Sequence, residues 1–110
     1  MTRRVRRHDA VADDIVEQAA YLLRETSQDV ALRFWERTEQ TIRWLAQHPG
    51  AGHLRDFDDP QLANVRSWPV KGFRKHLILY EIERDGIYLL AVIHGARDLP
   101  PVLRARARRG

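Results

Sequence analysis

Four side chains that could carry chemistry lie in two short segments of the sequence, "FRKH" and "VIHGARD". The first segment contains Arg74 and His76, and the second contains His94 and Arg97. Arginine binds phosphate groups, and histidine can exchange protons near neutral pH. Together they could grip a phosphate and stabilise the charge that develops during RNA cleavage. A structural interpretation is also open, because charged residues are common at strand ends and Arg97 could pair locally with Asp98.

These residues can meet only if the chain around them folds into a β-hairpin. Residues 73–83 and 87–94 are rich in aromatic, β-branched and leucine side chains, which favours two strands. Between them, Asp85 and Gly86 predict a two-residue type I′ turn, in which both central residues have positive φ. The second strand should therefore return antiparallel to the first.

The predicted hairpin brings the basic side chains together at the end of the sheet away from the turn. Arg74 should lie approximately opposite Arg97, and His76 opposite Gly95. His94 ends the second strand beside them. The members of this predicted cluster are Lys71, Arg74, Lys75, His76, His94 and Arg97.

The first half of the chain predicts a strand and two helices. Residues 3–8 are compatible with a short strand. Apolar residues recur at helical spacing over about 10–25 and over 27–48, with Asp9 and Ser27 as the expected N-caps. Two amphipathic helices joined by a short turn should pair antiparallel.

Beyond the helices, the sequence predicts a loop over 49–63 and a short strand over 65–70, which Pro69 directs to a sheet edge. The expected fold class is α+β, in the order β-α-α-β-β-β. An N-terminal strand and an antiparallel two-helix hairpin would pack on a small, mainly antiparallel sheet. The length of 110 residues fits a single domain.

The last two strands are apolar on both faces, since neither 77–80 nor 87–93 alternates with polar residues. An antiparallel sheet with one solvated face would alternate, so both faces need a cover. The helical hairpin can cover one face. The other needs a C-terminal segment, a second copy or a different protein, and we predict an obligate or long-lived partner.

The charge of the chain is distributed unevenly. The formal net charge is +4, yet residues 1–8 and 101–110 each contain four arginines and no acid, which leaves residues 9–100 at −4. Basic ends can attract nucleic acid or an acidic partner without specificity. The arm over 101–110 could equally be a solvated tail.

Several classes of function are excluded by composition. There is no cysteine, and the five histidines are scattered without ligand spacing, so we expect no metal. No phosphate-binding glycine loop occurs, and we expect no cofactor. The chain shows neither a signal peptide nor an apolar run that could span a bilayer, which predicts a cytoplasmic protein that does not bind membranes.

The segments "ADDIVEQAAYL" (12–22), "LAQHPGAGHLR" (45–55) and "VRSWPVKGFRKHLILYEIERDGIYLLAVIHGARD" (65–98) together resemble the ParE/RelE toxin superfamily. The resemblance covers about 8–99 and is closest to the ParE branch. It implies a helical hairpin packed on a small sheet, and it implies the toxin component of a type II toxin–antitoxin system. In that family an antitoxin covers the toxin surface, so the expected assembly is a hetero-oligomer with a cognate antitoxin.

The two branches of this superfamily imply different targets. RelE-like members are ribosome-dependent mRNA endonucleases, whereas ParE-like members inhibit DNA gyrase and are not nucleases. The chain has no tyrosine after Tyr88. Leu99-Pro100-Pro101 comes directly after Asp98, at the position where the nuclease branch would place an acid–base group. These departures favour gyrase as the target, with DNA contacted only indirectly through gyrase or the antitoxin. An inactive member that only binds antitoxin is a third interpretation.

Arg74, His94 and Arg97 match positions where nuclease members carry functional basic residues, so an endoribonuclease would use these three. The predicted partner contacts combine the basic end with apolar sheet positions. They are Lys71, Arg74, His76, Ile78, Tyr80, Leu90, Val92, Arg97 and Asp98.

Overall fold

A computed structural model describes residues 4–107. The strands are β1 (Arg4–Arg7), β2 (His53–Leu54), β3 (Arg66–Val70), β4 (Phe73–Glu83) and β5 (Gly86–His94). The helices are α1 (Val11–Glu25), α2 (Gln28–Gln47) and α3 (Leu99–Ala107), and single 3-10 turns occupy Pro49–Ala51 and Pro60–Leu62. None of the described helices is both long and apolar enough to cross a membrane.

The five strands form one mixed sheet in the order β1-β5-β4-β3-β2. β1 runs parallel to β5, and the other neighbours are antiparallel. This arrangement confirms the α+β class and the mainly antiparallel sheet. The prediction omitted two elements, the two-residue strand β2 and the helix α3.

The helical hairpin begins and ends close to the predicted positions. The Ser27 hydroxyl accepts a hydrogen bond from the Val30 amide at 3.1 Å, which is the predicted N-cap of α2. The N-cap prediction for α1 is wrong. Ala10 occupies that position without a side-chain cap, and the His8 Nδ1 atom instead accepts from the Ala10 amide.

The hairpin covers one face of the sheet with the larger of two apolar clusters. Phe34, Ile42 and Leu45 of α2 are fully buried there against sheet residues such as Ile78 and Leu89. The buried positions follow the predicted helical stripes. The hydrophobic effect of this burial holds the two helices on the sheet.

The second face of the sheet is covered by the chain itself. Leu99 and Leu103 of α3 and Leu62 of the second 3-10 turn are buried against Leu90 and Ile93 of β5. Every residue from Gly86 to Ile93 is buried within the monomer. The argument that the sheet lacks a cover and therefore requires a partner is wrong, because a C-terminal helix supplies that cover.

Two ion pairs attach α3 to the body of the protein. Arg106 binds Asp14 in a bidentate geometry at 2.6 and 2.9 Å, and its Nη1 atom also donates to the Leu90 carbonyl at 3.0 Å. Arg104 binds Asp59 at 3.0 Å. The predicted basic arm is therefore helical as far as Ala107, and its last three residues, 108–110, lie outside the described part.

The β4–β5 connection differs from the predicted type I′ turn. Glu83 pairs with Gly86, so the loop residues are Arg84 and Asp85. Within residues 4–107, positive φ occurs only at Asp58 and Gly72, so the type I′ prediction is wrong. Gly86 is needed for another reason, since a Cβ atom there would lie 1.8 Å from the Arg4 carbonyl oxygen of β1.

A β-bulge then shifts the register of the hairpin. Tyr80 pairs with Leu89 but Leu79 pairs with Ala91, which leaves Leu90 as the extra residue of β5. The loop at 84–85 would by itself place His76 opposite Ile93. The bulge shifts this pairing by one residue, so His76 lies opposite His94, one residue short of the predicted Gly95.

Candidate partner-binding site at the basic end of the sheet

The start of β4 and the end of β5 bring the predicted basic residues together. The ring centroids of His76 and His94 are 5.3 Å apart, and the Gly95 amide donates to the Lys75 carbonyl at 2.7 Å beyond the paired residues. Among the residues that reach solvent at this end, we refer to five as the basic end. They are Lys71, Arg74, His94, Arg97 and Asp98.

The cations of the basic end are available to a partner. Lys71, Arg74 and Arg97 are exposed, and no ion pair involving any of them is found among residues 4–107. The expected local pair between Arg97 and Asp98 is not formed. The His94 Nδ1 atom accepts a hydrogen bond from the Ala96 amide at 3.0 Å, which orients its ring and shapes the turn after β5.

His76 is part of the core edge and not of the surface. Only 7% of it is exposed, and its ring packs against Phe34 with centroids 4.8 Å apart. Burial lowers the pKa of His76 below its usual value, and the neighbouring His94 lowers that pKa further. The ring is therefore neutral at physiological pH.

Gln18 of α1 determines which nitrogen of His76 carries the proton. Its amide nitrogen donates to the Val92 carbonyl and to the Asp14 carbonyl, so its oxygen is the atom that faces His76. The distance from His76 Nδ1 to that oxygen is 2.5 Å. An amide oxygen only accepts, so Nδ1 carries the hydrogen and Nε2 keeps a lone pair.

A cleft separates α1 from the basic end. Gln18 and Tyr21 form its helical wall, and His76, His94 and Arg97 form the other. The cleft has a volume of ≈ 360 Å³. The Arg97 guanidinium and the His94 ring can hold an anionic group there. The remaining nitrogen of the neutral, buried His76 can only accept a hydrogen bond, so His76 is a poor proton donor.

Four apolar members of the predicted contact set are core residues. Ile78, Tyr80, Leu90 and Val92 have no exposed surface, so no partner can reach them in this fold. β4 and β5 have apolar side chains on both faces of the sheet, and α1, α2 and α3 cover these four residues. The reachable members of the set are Lys71, Arg74, Arg97 and Asp98.

Tyr80 has a structural role that the sequence did not indicate. Its hydroxyl donates to the Pro49 carbonyl at 2.6 Å and accepts from the Gly52 amide at 2.8 Å. Burial raises the pKa of Tyr80, so the hydroxyl remains protonated and keeps both bonds. A Cβ atom at Gly52 would lie 2.4 Å from this hydroxyl, which explains the glycine.

Sequence reasoning missed a groove beside the basic end. It lies between α2 and the β3–β4 turn and is lined by Trp44, Trp68, Lys71 and Arg74 among others. Trp44 does not belong to the apolar stripe of α2, and 42% of it is exposed. A large aromatic residue outside the core stripe of a helix was the signal that could have indicated this surface.

Comparison with known families decides which class of protein carries this surface. Residues 5–99 match the family described as ParE toxin of type II toxin-antitoxin system, parDE. The chain belongs to the ParE toxin family. It is therefore a type II toxin, and membership of this kind of system supports an antitoxin partner. No curated protein matches the chain.

The ParE fold is also found in a solved structure described as the chromosomal ParDE TA system from P. aeruginosa. The two chains superpose with a TM-score of 0.68 at 14% sequence identity. The match covers 84% of this toxin and 96% of that chain. At this identity the likeness establishes the shared fold of the toxin.

Proposed function

We propose that this toxin inhibits DNA gyrase through a protein contact at its basic end and that a co-encoded antitoxin neutralises it. Membership of the ParE family supports the toxin role. The proposal places the toxin in the cytoplasm, where gyrase acts, as a hetero-oligomer with its antitoxin until that antitoxin is lost.

One observation carries the choice of binding over catalysis. The basic end presents exposed cations, but the histidine behind them is buried, has a lowered pKa and already donates its Nδ1 hydrogen to Gln18. General acid–base cleavage needs a group that can exchange a proton with the substrate. His76 does not supply such a group, which leaves His94 as the candidate at this end. The exposed arginines and lysine beside it suit an acidic protein surface, where Arg is a frequent contact residue.

A supercoiling assay with purified gyrase tests this function. We expect micromolar toxin to inhibit supercoiling and to accumulate cleaved DNA, and Arg97→Glu to reduce this activity about tenfold or more because it reverses a contact charge. Arg84→Glu is the matched control, since Arg84 is exposed in the β4–β5 loop at the opposite end of the hairpin and does not line the cleft. Full gyrase activity at micromolar concentrations of folded toxin would refute the proposal.

A second candidate is ribosome-dependent mRNA cleavage. The observation that favours it is the convergence of Arg74, His94 and Arg97 at one end of the sheet, where a phosphate could be held. Primer extension on translated mRNA would then show cuts that disappear in Arg97→Ala. Intact transcripts in cells already arrested by the toxin exclude this candidate.

Neutralisation is tested separately from the target. We expect expression of the toxin alone to arrest growth, and expression with the neighbouring antitoxin gene to restore it. Normal growth with folded, soluble toxin would instead indicate an inactive member that only binds antitoxin.

A further inference from the structure

The groove between α2 and the β3–β4 turn has a rigid aromatic wall. Trp44 of α2 stacks on Trp68 of β3, with ring centroids 5.4 Å apart and an angle of 22° between the planes. His48 also stacks on Trp44, with ring centroids 4.4 Å apart, and the His53 ring lies 6.3 Å from that of Trp68. The four rings form a continuous row along the surface, which we call the aromatic row.

Neighbouring backbone contacts hold the aromatic row in place. Tyr80 fixes the turn after α2 through its bonds to Pro49 and Gly52, and Arg66 donates to the Gly52 carbonyl at 2.7 Å. At the other end, the Lys71 amide donates to the Thr41 hydroxyl at 3.2 Å. A preformed wall costs little ordering entropy when a ligand binds, so this surface is suited to recognition.

The groove is positively charged at one end. Lys71 and Arg74 line it there, and the Arg37 guanidinium lies over the adjacent turn, 3.8 Å from where a side chain on Gly72 would begin. Among residues 4–107, no acidic side chain lines the groove, whose volume is ≈ 450 Å³. Pro69, which is partly exposed, completes its apolar floor.

These features favour a peptide over a nucleic acid as the occupant. Proteins that bind single strands stack bases on the open faces of aromatic rings. Trp44 already stacks on His48 and on Trp68, so a base can take the place of either ring only by breaking the aromatic row. The accessible ring edges and the apolar floor instead fit aliphatic side chains, and the cations at one end fit carboxylates.

We propose that the groove receives a segment of the antitoxin in which apolar residues are followed by acidic ones. The apolar residues lie against the aromatic row, and the carboxylates bind Lys71 and Arg74. The same two cations belong to the basic end, so an occupied groove covers part of the surface proposed to contact gyrase. This inference rests on the proposed function, and it describes neutralisation as direct masking of the target-binding surface.

Tryptophan fluorescence gives a direct test, because the chain has three tryptophans and only Trp35 is outside the groove. In a Trp35→Phe variant of the full chain, emission reports on Trp44 and Trp68 alone. Titration with purified antitoxin should shift this emission. In the same background, combined Lys71→Glu and Arg74→Glu should weaken antitoxin binding about tenfold or more, because like charges then face each other.

Combined Arg33→Glu and Arg84→Glu is the matched control, since it introduces the same change of charge at two exposed residues outside the groove, and we expect its affinity to be unchanged. Trp44→Phe, which keeps an apolar ring, should weaken binding while circular dichroism shows a folded protein. Unchanged emission on antitoxin binding, or equal affinities for the charge-reversed and control variants, would overturn the proposal. So would an equal emission shift with a single-stranded oligonucleotide.

The growth and gyrase assays keep this inference separate from the proposed function. If the antitoxin binds the groove but gyrase is unaffected by the toxin, only the proposed target is wrong. If the toxin inhibits gyrase but the charge-reversed variant binds antitoxin normally, only the groove assignment is wrong.

Discussion

The two faces of the central sheet are covered by different means. On one face, α1 and α2 have 15 and 20 residues and bury a large apolar cluster. Polar groups there are satisfied locally, as with the Thr38 and Thr41 hydroxyls that donate to carbonyls of their own helix. On the other face, α3 has nine residues, and ion pairs to distant parts of the chain hold it.

This difference indicates which cover depends on the rest of the protein. A helix as short as α3 is marginal by itself in water, so its stability must come from Leu99, Leu103 and the pair between Arg106 and Asp14. The longer helices both have a broad apolar stripe, and α2 also has a capped start. The face under α3 should therefore open more easily than the face under the hairpin.

The largest expected effect is the removal of the carboxylate that joins the two faces. Asp14 of α1 is only 4% exposed, and it accepts from Arg106 and from the Val92 amide. Asp14→Ala removes the carboxylate partner of the Arg106 side chain, which is only 14% exposed, and should lower the free energy of unfolding by about 3–5 kcal/mol. Urea denaturation measures this loss.

Asp13→Ala is the control for that experiment, because Asp13 is exposed in the same turn of α1. It should cost less than about 1 kcal/mol, the usual contribution of an acid near a helix N-terminus. Equal losses for the two variants would show that the buried pair does not hold α3 in place.

A second prediction concerns the separate opening of the two faces. Leu103→Ala removes a fully buried side chain of α3 and should cost about 2–4 kcal/mol. In native-state hydrogen exchange, the amides of α3 should exchange faster, while the exchange rates of the α2 amides should change little. Ile42→Ala, on the hairpin face, should accelerate amide exchange throughout the protein. If amide exchange becomes faster in both α3 and α2 of the Leu103→Ala variant, the two faces open as one unit.

The third prediction is that the hairpin face contains a pH-sensitive residue. The pKa of folded His76 lies below that of an unfolded histidine, which is about 6.5. Below that value the unfolded chain binds more protons than the folded one, so stability should fall as the pH decreases toward the folded pKa. Urea denaturation from about pH 7.5 to pH 5 should show this loss. His76→Gln should reduce the slope, whereas the exposed His53→Gln should reduce it less.

The smallest effect is expected at the outer ion pair of α3. The Arg104 side chain is 41% exposed, so its bond to Asp59 is weakened by solvent. Arg104→Ala should lower the free energy of unfolding by only about 0.2–1 kcal/mol, and added salt should reduce that difference. A loss as large as that in Asp14→Ala would contradict the conclusion that the pair between Arg106 and Asp14 is the main attachment of α3.

Local patterns in the sequence predicted much of the fold. Strand β4 begins and ends where predicted, α2 begins after its predicted cap, and the turn after α2 follows from Pro49. The meeting of the start of β4 with the end of β5 was also predicted, because a hairpin brings its two ends together. The ParE resemblance added the toxin class, and the family match confirms it.

Other features depended on residues far apart in the sequence. The helix α3 has a local signal, since prolines are tolerated in the first turn of a helix and Leu99 and Leu103 have helical spacing. Its position on the sheet has none, because it depends on Arg106 reaching Asp14. The aromatic row was missed for the same reason, since Trp44 and Trp68 meet only after α2 packs beside β3.

The amino-acid pattern alone determined that two strands are apolar on both faces, because alternation is a property of neighbouring residues. Only the tertiary structure decided what covers the second face, and the answer was the chain's own C-terminal helix. Burial is the result of packing between distant segments, and the free energy that orders α3 arises from contacts that do not exist until the sheet has formed. For that reason the pattern could establish that a cover was needed but not which segment provides it.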